Sequence, residues 1–512
     1  MISATLPAAL LVALPGAWFG HANPISHVPG AAVLFPAALF WIALKASSPG
    51  AAFRSGWICA ALAYAACLYW VFIPVHVHGG LPWILALPCP ILLGMYLGLY
   101  GGAFSALIHW ARPVLSPVPL GLGAGLLWGG LEMAQGTLFT GFSWLTLPAA
   151  LAPWPPAIQG LALVGEYWLS AVFVAAAAWL ILARESTFGL LLGIATPLAL
   201  IGFGAVMLTK PLPEGAPVRV TLVQGNIDQT VKWEPEYQEA TIRTYLDLTA
   251  KELSSAPELV IWPETAMPFY LQEENALSRQ VRDFVRSQER FALLTGAPRY
   301  EVNLSTGEIG YGNSAFLLGP RGETLDVYDK EHLVPFGEYV PLGHLLPFIR
   351  RLAQSEGDFV AGNDPAPLHW DRLALGMLIC YEAIFPGLSR ERVRAGANLL
   401  VNISNDAWFG RSSAPRQHLN QAVLRSVEQG RFLVRSTNTG VTAIIDPRGR
   451  RLEAGGLFHR LTLSYPEVLL LEDRTFYHRH YTILQALLPA TVGVLLGSVW
   501  WLRRRRASFG ME

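Results

Sequence analysis

Charge is scarce in this 512-residue chain. Asp, Glu, Lys and Arg make up 14% of it, 52% is hydrophobic and 17 residues are Trp. A soluble protein averages about 25% charged. The 37 basic and 37 acidic residues cancel. That removes the single-signed field that draws a protein to nucleic acid, so no nucleic-acid partner is expected. Cysteine is scarce too, at four residues. There is no CxxC pair and no Cys/His cluster, which excludes the usual zinc frameworks; no metal or cofactor is expected. Cys59, Cys67 and Cys89 lie in apolar stretches, which leaves Cys380 without a disulfide partner in the charged part of the chain.

The charge deficit is uneven. Residues 1–209 hold very few charges, whereas 213–480 have an ordinary globular composition. A helix needs about 20 apolar residues to cross about 30 Å of hydrocarbon. Seven candidate spans precede residue 210, near 3–20, 29–44, 56–73, 82–111, 118–138, 157–183 and 188–208, and an eighth covers 481–502. With the N-terminus in the cytoplasm, the inner loops carry Lys45, Arg54, Arg112, Arg184 and Arg503 to Arg506. The outer loops near 21–28, 74–81 and 139–156 carry no Lys or Arg. This positive-inside pattern puts both termini in the cytoplasm and 213–475 on the far side of the membrane as one domain. Glu132 and Glu166 fall within candidate spans. Each is either functional or a helix-packing hydrogen-bonder.

The outer domain alternates between strand-like and helical runs, which predicts an α/β fold. PVRVTLVQGNI, ELVIWPE, FALLTGAP, NSAFLLGP, TLDVYDK, LALGMLIC, NLLVNISND, RFLVRST, VTAIIDP and VLLLED read as strands. Helices are expected near 235–253, 275–289, 387–396 and 414–429. Several strands are apolar throughout, as expected where both sheet faces are covered.

Three of these runs deliver a reactive group at or beyond their carboxyl ends: Glu264, Lys330 and Cys380. Sites in α/β folds form at such ends. A thiol is mostly protonated near neutral pH, yet the thiolate is the nucleophile. A carboxylate can take its proton, and an ammonium favours the thiolate and an oxyanion on the attacked carbonyl. The backbone N–H of Tyr381 is a natural second oxyanion donor. The trio reads as acyl transfer through a thioester, set against the plainer readings of a core cysteine, a turn glutamate and a solvated lysine. Glu338, behind Pro335 and Gly337, either orients the lysine or serves its turn. His332 reads as a structural hydrogen-bonder. In NISNDAWFG, Asn405 and Asp406 suit turns, and Trp408 and Phe409 cap the pocket or only pack.

Pro263-Glu264, Y-x-K-x-H-L-V-P-F-G-E-Y-V-P around Lys330, and C-Y-E at Cys380 resemble the carbon–nitrogen hydrolase (nitrilase) superfamily over about 217–473. With the apolar half and the NDAWFG string, the whole chain resembles the bacterial apolipoprotein N-acyltransferase family. The resemblance implies an αββα sandwich with a Glu264–Lys330–Cys380 triad, joined to a multi-span helical domain of about eight transmembrane helices in the inner membrane, with the sandwich in the periplasm. It also implies two steps. Cys380 takes the sn-1 acyl chain of a phospholipid, usually phosphatidylethanolamine. The thioester then acylates the α-amine of a diacylglyceryl-cysteine at an apolipoprotein N-terminus. Glu338, Tyr381 and Glu382 match family positions near the triad, Trp233 matches a mobile-loop aromatic at the acyl site, and Asn313 is carried over as well. Phe142, Trp144, Trp233 and Phe336 are available to line a water-poor site. The rival expectation is a membrane-tethered amidase that gives its acyl group to water.

Overall fold

The computed structural model describes residues 5–302, 307, 309–340 and 359–508. The chain divides into two compact units: 1–72, 83–211 and 475–512 form one, and 73–82 with 212–474 form the other.

The first unit is helical. Among the described residues, four helices are long and apolar enough to cross a membrane: Trp83–Ala111, Leu161–Ile181, Thr187–Thr209 and Phe476–Ser508. Pro49–Cys67 and Tyr69–His78 make a fifth if that pair, bent by 58°, is one span. By length and composition these helices account for four or five of the eight expected runs. Leu6–Gly20 and Pro29–Lys45 are shorter apolar helices, and residues 3 and 4 of the first run lie outside the described residues. Pro117–Gln135 carries five glycines and Glu132, which dilute its apolar character. Small residues let helices approach closely without a hydrophobic driving force. A Cβ at Gly101 would lie 2.4 Å from Ala60 Cβ.

Both buried acids of this unit hold one segment. Glu132 Oε1 accepts the Trp128 indole N–H at 2.9 Å and the Leu147 N–H at 3.2 Å. Glu166 Oε2 accepts the Thr146 hydroxyl at 3.4 Å. Both acids thus hydrogen-bond within the helical unit. The basic residues gather as well: Arg112 donates to the Leu44 carbonyl, Arg503 to Trp110 and Arg506 to Pro113.

The second unit contains twelve described strands: β1 (Ala216–Gln224), β2 (Leu259–Ile261), β3 (Ala292–Val302), β4 (Ile309–Leu318), β5 (Thr324–Asp329), β6 (Leu368–Trp370), β7 (Leu373–Ile379), β8 (Leu399–Ser404), β9 (Leu433–Thr437), β10 (Ala443–Ile445), β11 (Arg451–Ala454) and β12 (Leu461–Leu470). They form two six-stranded sheets, ordered β12-β1-β2-β3-β4-β5 and β11-β10-β9-β8-β7-β6. β1 to β3 are parallel, as are β7 to β9, and the flanking strands are antiparallel. The sheets bury one shared core, in which Leu222, Ile261 and Leu294 of the first cluster with Met377, Ile403 and Val434 of the second. On the outer face of the first sheet, Ile242, Tyr245 and Leu246 of helix Pro235–Lys251 and Val281 and Val285 of helix Ala276–Gln288 pack on Val260, Trp262 and Leu293. The result is a helix–sheet–sheet–helix sandwich. Burial on both faces explains why β7 and β8 are buried at every position. β6 and β11, which sequence pattern did not announce, are short edge strands.

Candidate active site

β2 ends at Ile261, and Trp262-Pro263 turns the chain to put Glu264 beside β3. The approach is close: a Cβ at Gly296 would lie 2.4 Å from the Thr265 nitrogen and 2.7 Å from Glu264 Cα, so only glycine fits. The Glu264 carboxylate is buried. Oε1 accepts Asn313 Nδ2 at 2.7 Å and Oε2 accepts the Asn405 backbone N–H at 2.7 Å. Both oxygens are therefore fixed from different strands, β4 and the end of β8.

Lys330 follows β5. Its N–H donates to the Asn313 carbonyl at 2.9 Å and its own carbonyl accepts the Gly362 N–H at 2.8 Å. The buried Nζ lies 2.8 Å from Glu338 and 3.9 Å from Glu264 Oε1. Burial alone would lower this ammonium. The Glu338 and Glu264 charges outweigh it and hold the lysine above its ordinary range. Glu338 is presented by a tight turn closed by Phe336 N–H to the Tyr339 carbonyl at 2.7 Å, and its Oε2 accepts the Val334 N–H at 2.8 Å. Asn313 Nδ2 also donates to Glu338 Oε1 at 2.9 Å. Asn313 thus bridges both carboxylates.

Cys380 begins a short turn after β7, with φ +52. Burial raises its thiol far above the usual cysteine range. The nearby Glu264 charge adds to the rise, Lys330 opposes it, and a Ser404 hydrogen bond lowers it slightly. The resting group is a thiol that needs a base. Tyr381 is buried, its ring edge-on to Phe385 at 5.0 Å.

Glu382, two residues on, ties the two reactive turns together. Oε2 accepts the Ile379 N–H at 2.6 Å, just before Cys380. Oε1 accepts the N–H groups of Glu331 at 2.8 Å and His332 at 3.1 Å, just after Lys330, and the Tyr328 hydroxyl at 2.7 Å. Burial raises this carboxyl, countered by Arg392, the Ile379 N–H, Tyr328 and Lys330. His332 is held through its backbone, and its ring lies tilted against Phe385 with centroids 3.9 Å apart, as a structural residue would. Among the described residues no group of three or more His, Cys, Asp or Glu converges to hold a metal ion.

Comparison with known proteins adds a second line. Residues 219–468 match the carbon–nitrogen hydrolase family, and 16–179 match the apolipoprotein N-acyltransferase N-terminal domain. The apolipoprotein N-acyltransferase of Geobacter metallireducens is 41% identical over 86% of this chain and 85% of its own length. That of Nitrosomonas europaea is 38% identical over 82% and 83%. The chain belongs to the apolipoprotein N-acyltransferase family. Among solved structures, an amidase from Nesterenkonia sp. aligns at 21% identity over 53% of this chain and 99% of its own, with a TM-score of 0.38.

In this family member Glu264, Lys330, Glu338, Asn313, Tyr381 and Glu382 are joined by hydrogen bonds, ion pairs or shared turns around Cys380. Trp233 is not: its side chain is 50% exposed on the segment before helix Pro235–Lys251. Its neighbour Lys232, unremarked in the sequence, is fully buried and donates to the Glu264 carbonyl at 3.4 Å. Burial lowers the Lys232 ammonium to about 8, with Glu264 opposing. Asn405, read as a turn residue, fixes Glu264, and its own Nδ2 donates to Gln229 Oε1 at 2.6 Å. The adjacency of Lys232 to Trp233 was the one local signal available for the first. For Asn405 the signal was its place at the end of an apolar strand.

Proposed function

We propose that this chain is a thioester acyltransferase that moves the sn-1 acyl chain of a phospholipid to the α-amine of a diacylglyceryl-cysteine at an apolipoprotein N-terminus. The observation that carries the reading is the buried constellation in which Lys330 Nζ lies 3.9 Å from Glu264 and Glu382 ties the Cys380 turn to the Lys330 turn. In the first step Glu264 takes the Sγ proton as sulfur attacks the ester carbonyl. The tetrahedral oxyanion faces the Lys330 ammonium and the Tyr381 N–H. The ester C–O bond then breaks, and Glu264 returns the proton to the departing lysophospholipid hydroxyl. In the second step the α-amine attacks the thioester, Glu264 accepts its proton, and the C–S bond breaks to restore the thiol. Glu338 keeps Lys330 oriented, Asn313 and Asn405 keep Glu264 oriented, and Trp233 meets the acyl chain.

The donor in this reading is phosphatidylethanolamine, and both substrates arrive through the bilayer. The helical unit crosses the bacterial inner membrane eight times, with seven spans in 1–209 and one in 481–502. Both termini are cytoplasmic and the 213–475 domain is periplasmic. The basic residues gathered at Leu44, Trp110 and Pro113 support one cytoplasmic end. The test is incubation of the purified protein with labelled phospholipid and a diacylated lipopeptide. N-acylated lipopeptide is the expected product. Free fatty acid without it would favour an amidase-like hydrolase.

A further inference from the structure

Cys380 occupies the left-handed region of backbone space at φ +52. An L residue resists that conformation, which persists only where its surroundings over-determine it. Glu382 holds the amide before it. The Cys380 carbonyl is held from the other side, by His418 Nε2 at 2.9 Å. His418 lies on helix Ala414–Gln429 and is wholly buried.

To donate to a carbonyl, His418 Nε2 must carry a proton. Arg435 Nη2, which can only donate, lies 3.1 Å from His418 Nδ1 and 2.8 Å from Asp406 Oδ2. Asp406 Oδ1 stands 3.1 Å from the same Nδ1 and accepts the Ser404 hydroxyl at 2.8 Å. Burial and then the Arg435 charge push His418 below the ordinary histidine range, with Asp406 opposing. Nε2 therefore carries the proton that meets the Cys380 carbonyl, while Nδ1 is held between Arg435 and Asp406 at 3.1 Å from each. Arg435 in turn is anchored on Asn402 of β8.

We propose that His418 is a positioning residue for the chemistry at Cys380. Its Nε2–H, on a ring held at Nδ1 by Arg435 and Asp406, holds the Cys380 carbonyl and fixes the turn that presents Sγ and the Tyr381 N–H to one substrate carbonyl. This rests on the reading of Cys380 as the acyl carrier.

The full-length protein in detergent micelles provides the test, as native chain, His418→Gln and His418→Asn. The Gln amide nitrogen occupies the place of Nε2 and keeps the donor. Asn reaches only as far as Nδ1 and loses it. Both lose the ring, so a purely structural role would move both alike. The readouts are the single-turnover rate of Cys380 acylation by intact mass and the rate of Cys380 alkylation by iodoacetamide, resolved by peptide. His418→Gln should acylate within about 5-fold of native and His418→Asn about 100-fold slower, as for a small misplacement of a reacting group. Equal losses, equal retention or the reverse order would overturn the proposal. If the native protein forms no acyl adduct, the acyl-carrier reading falls, and the order of alkylation rates still decides the role of His418. Should His418→Asn not fold, Arg435→Lys replaces it. Its ammonium keeps the Asp406 pair without reaching Nδ1, so acylation should fall about 10-fold; an unchanged rate counts against the proposal.

Discussion

Glu382→Gln is the perturbation whose size the geometry specifies best. The carboxylate is fully buried and accepts four hydrogen bonds, from Ile379, Glu331, His332 and the Tyr328 hydroxyl. An amide has one acceptor oxygen. If it faces the three donors on Oε1, its NH2 opposes the Ile379 N–H, which is then left buried and unpaired. A hydrogen bond to a charged group contributes about 1.5–3 kcal/mol, and an unsatisfied buried donor costs about 1–3 kcal/mol. Loss of the buried charge offsets part of this. The net expectation is a destabilisation of about 3 kcal/mol, or roughly 6–12 °C in melting temperature for a domain of this size. Glu239→Gln, which removes an exposed pair with Arg243, serves as the control. It should change stability by no more than about 0.5 kcal/mol. The assay is intrinsic-fluorescence melting of the full chain in detergent, paired with the single-turnover acylation rate at 25 °C, well below the transition. Acylation should fall about 100-fold, because Glu382 registers the Cys380 turn against the Lys330 turn. A Glu382→Gln protein that melts with the control and acylates normally would refute the claim that this carboxylate holds the two turns together.

Other expectations follow from the same contacts. Lys232 is lowered to about 8 by burial, against about 10.4 in an unfolded chain. Between those values the unfolded state binds more protons, so the native protein gains stability as pH rises. Lys232→Met should therefore be more stable than native by roughly 3 kcal/mol near pH 7, with the gap closing towards about pH 10.4; melts across that range that stay parallel would contradict the assignment. The raised Cys380 thiol predicts iodoacetamide alkylation that keeps climbing with pH beyond about 9.5, where an ordinary cysteine of pKa about 8.5 has levelled off. A plateau at that point would show an ordinary thiol. Glu338→Gln removes the nearer of the two carboxylates on Lys330. It should lower kcat by about 10–100-fold with little change in KM, whereas a pure KM effect would place Glu338 in substrate binding instead.

The sandwich was legible because its parallel strands are buried on both faces. LALGMLI and LLVNIS announce themselves as continuous runs, and the reactive group after the first stands at the strand's end. The edge strands β6 and β11 were not legible: LHW and RLEA are short and half exposed, so no apolar pattern marks them. Among the described residues, four or five of the eight expected spans form helices long and apolar enough to cross a membrane; the other apolar runs form helices that are shorter or diluted by glycine, which composition does not register. Glu264, Lys330 and Cys380 could be paired from the sequence because each ends or follows a strand. Lys232, Asn405 and His418 could not. Lys232 stands in a polar stretch and is buried only through tertiary folding. His418 lies on a helix reading APRQHLNQAVLRSVEQ, which has the look of a solvated surface yet is buried almost throughout, with Arg425 and Glu428 paired inside. A polar helix sealed within a domain leaves no periodic signature to read.

The central claim is that Cys380 carries the acyl group, and intact-mass analysis after brief exposure to phospholipid tests it most directly. The account predicts an adduct of one acyl chain on Cys380, absent from Cys380→Ala and discharged when diacylated lipopeptide is added. No adduct on the native protein, or N-acylated lipopeptide formed by Cys380→Ala, would contradict it.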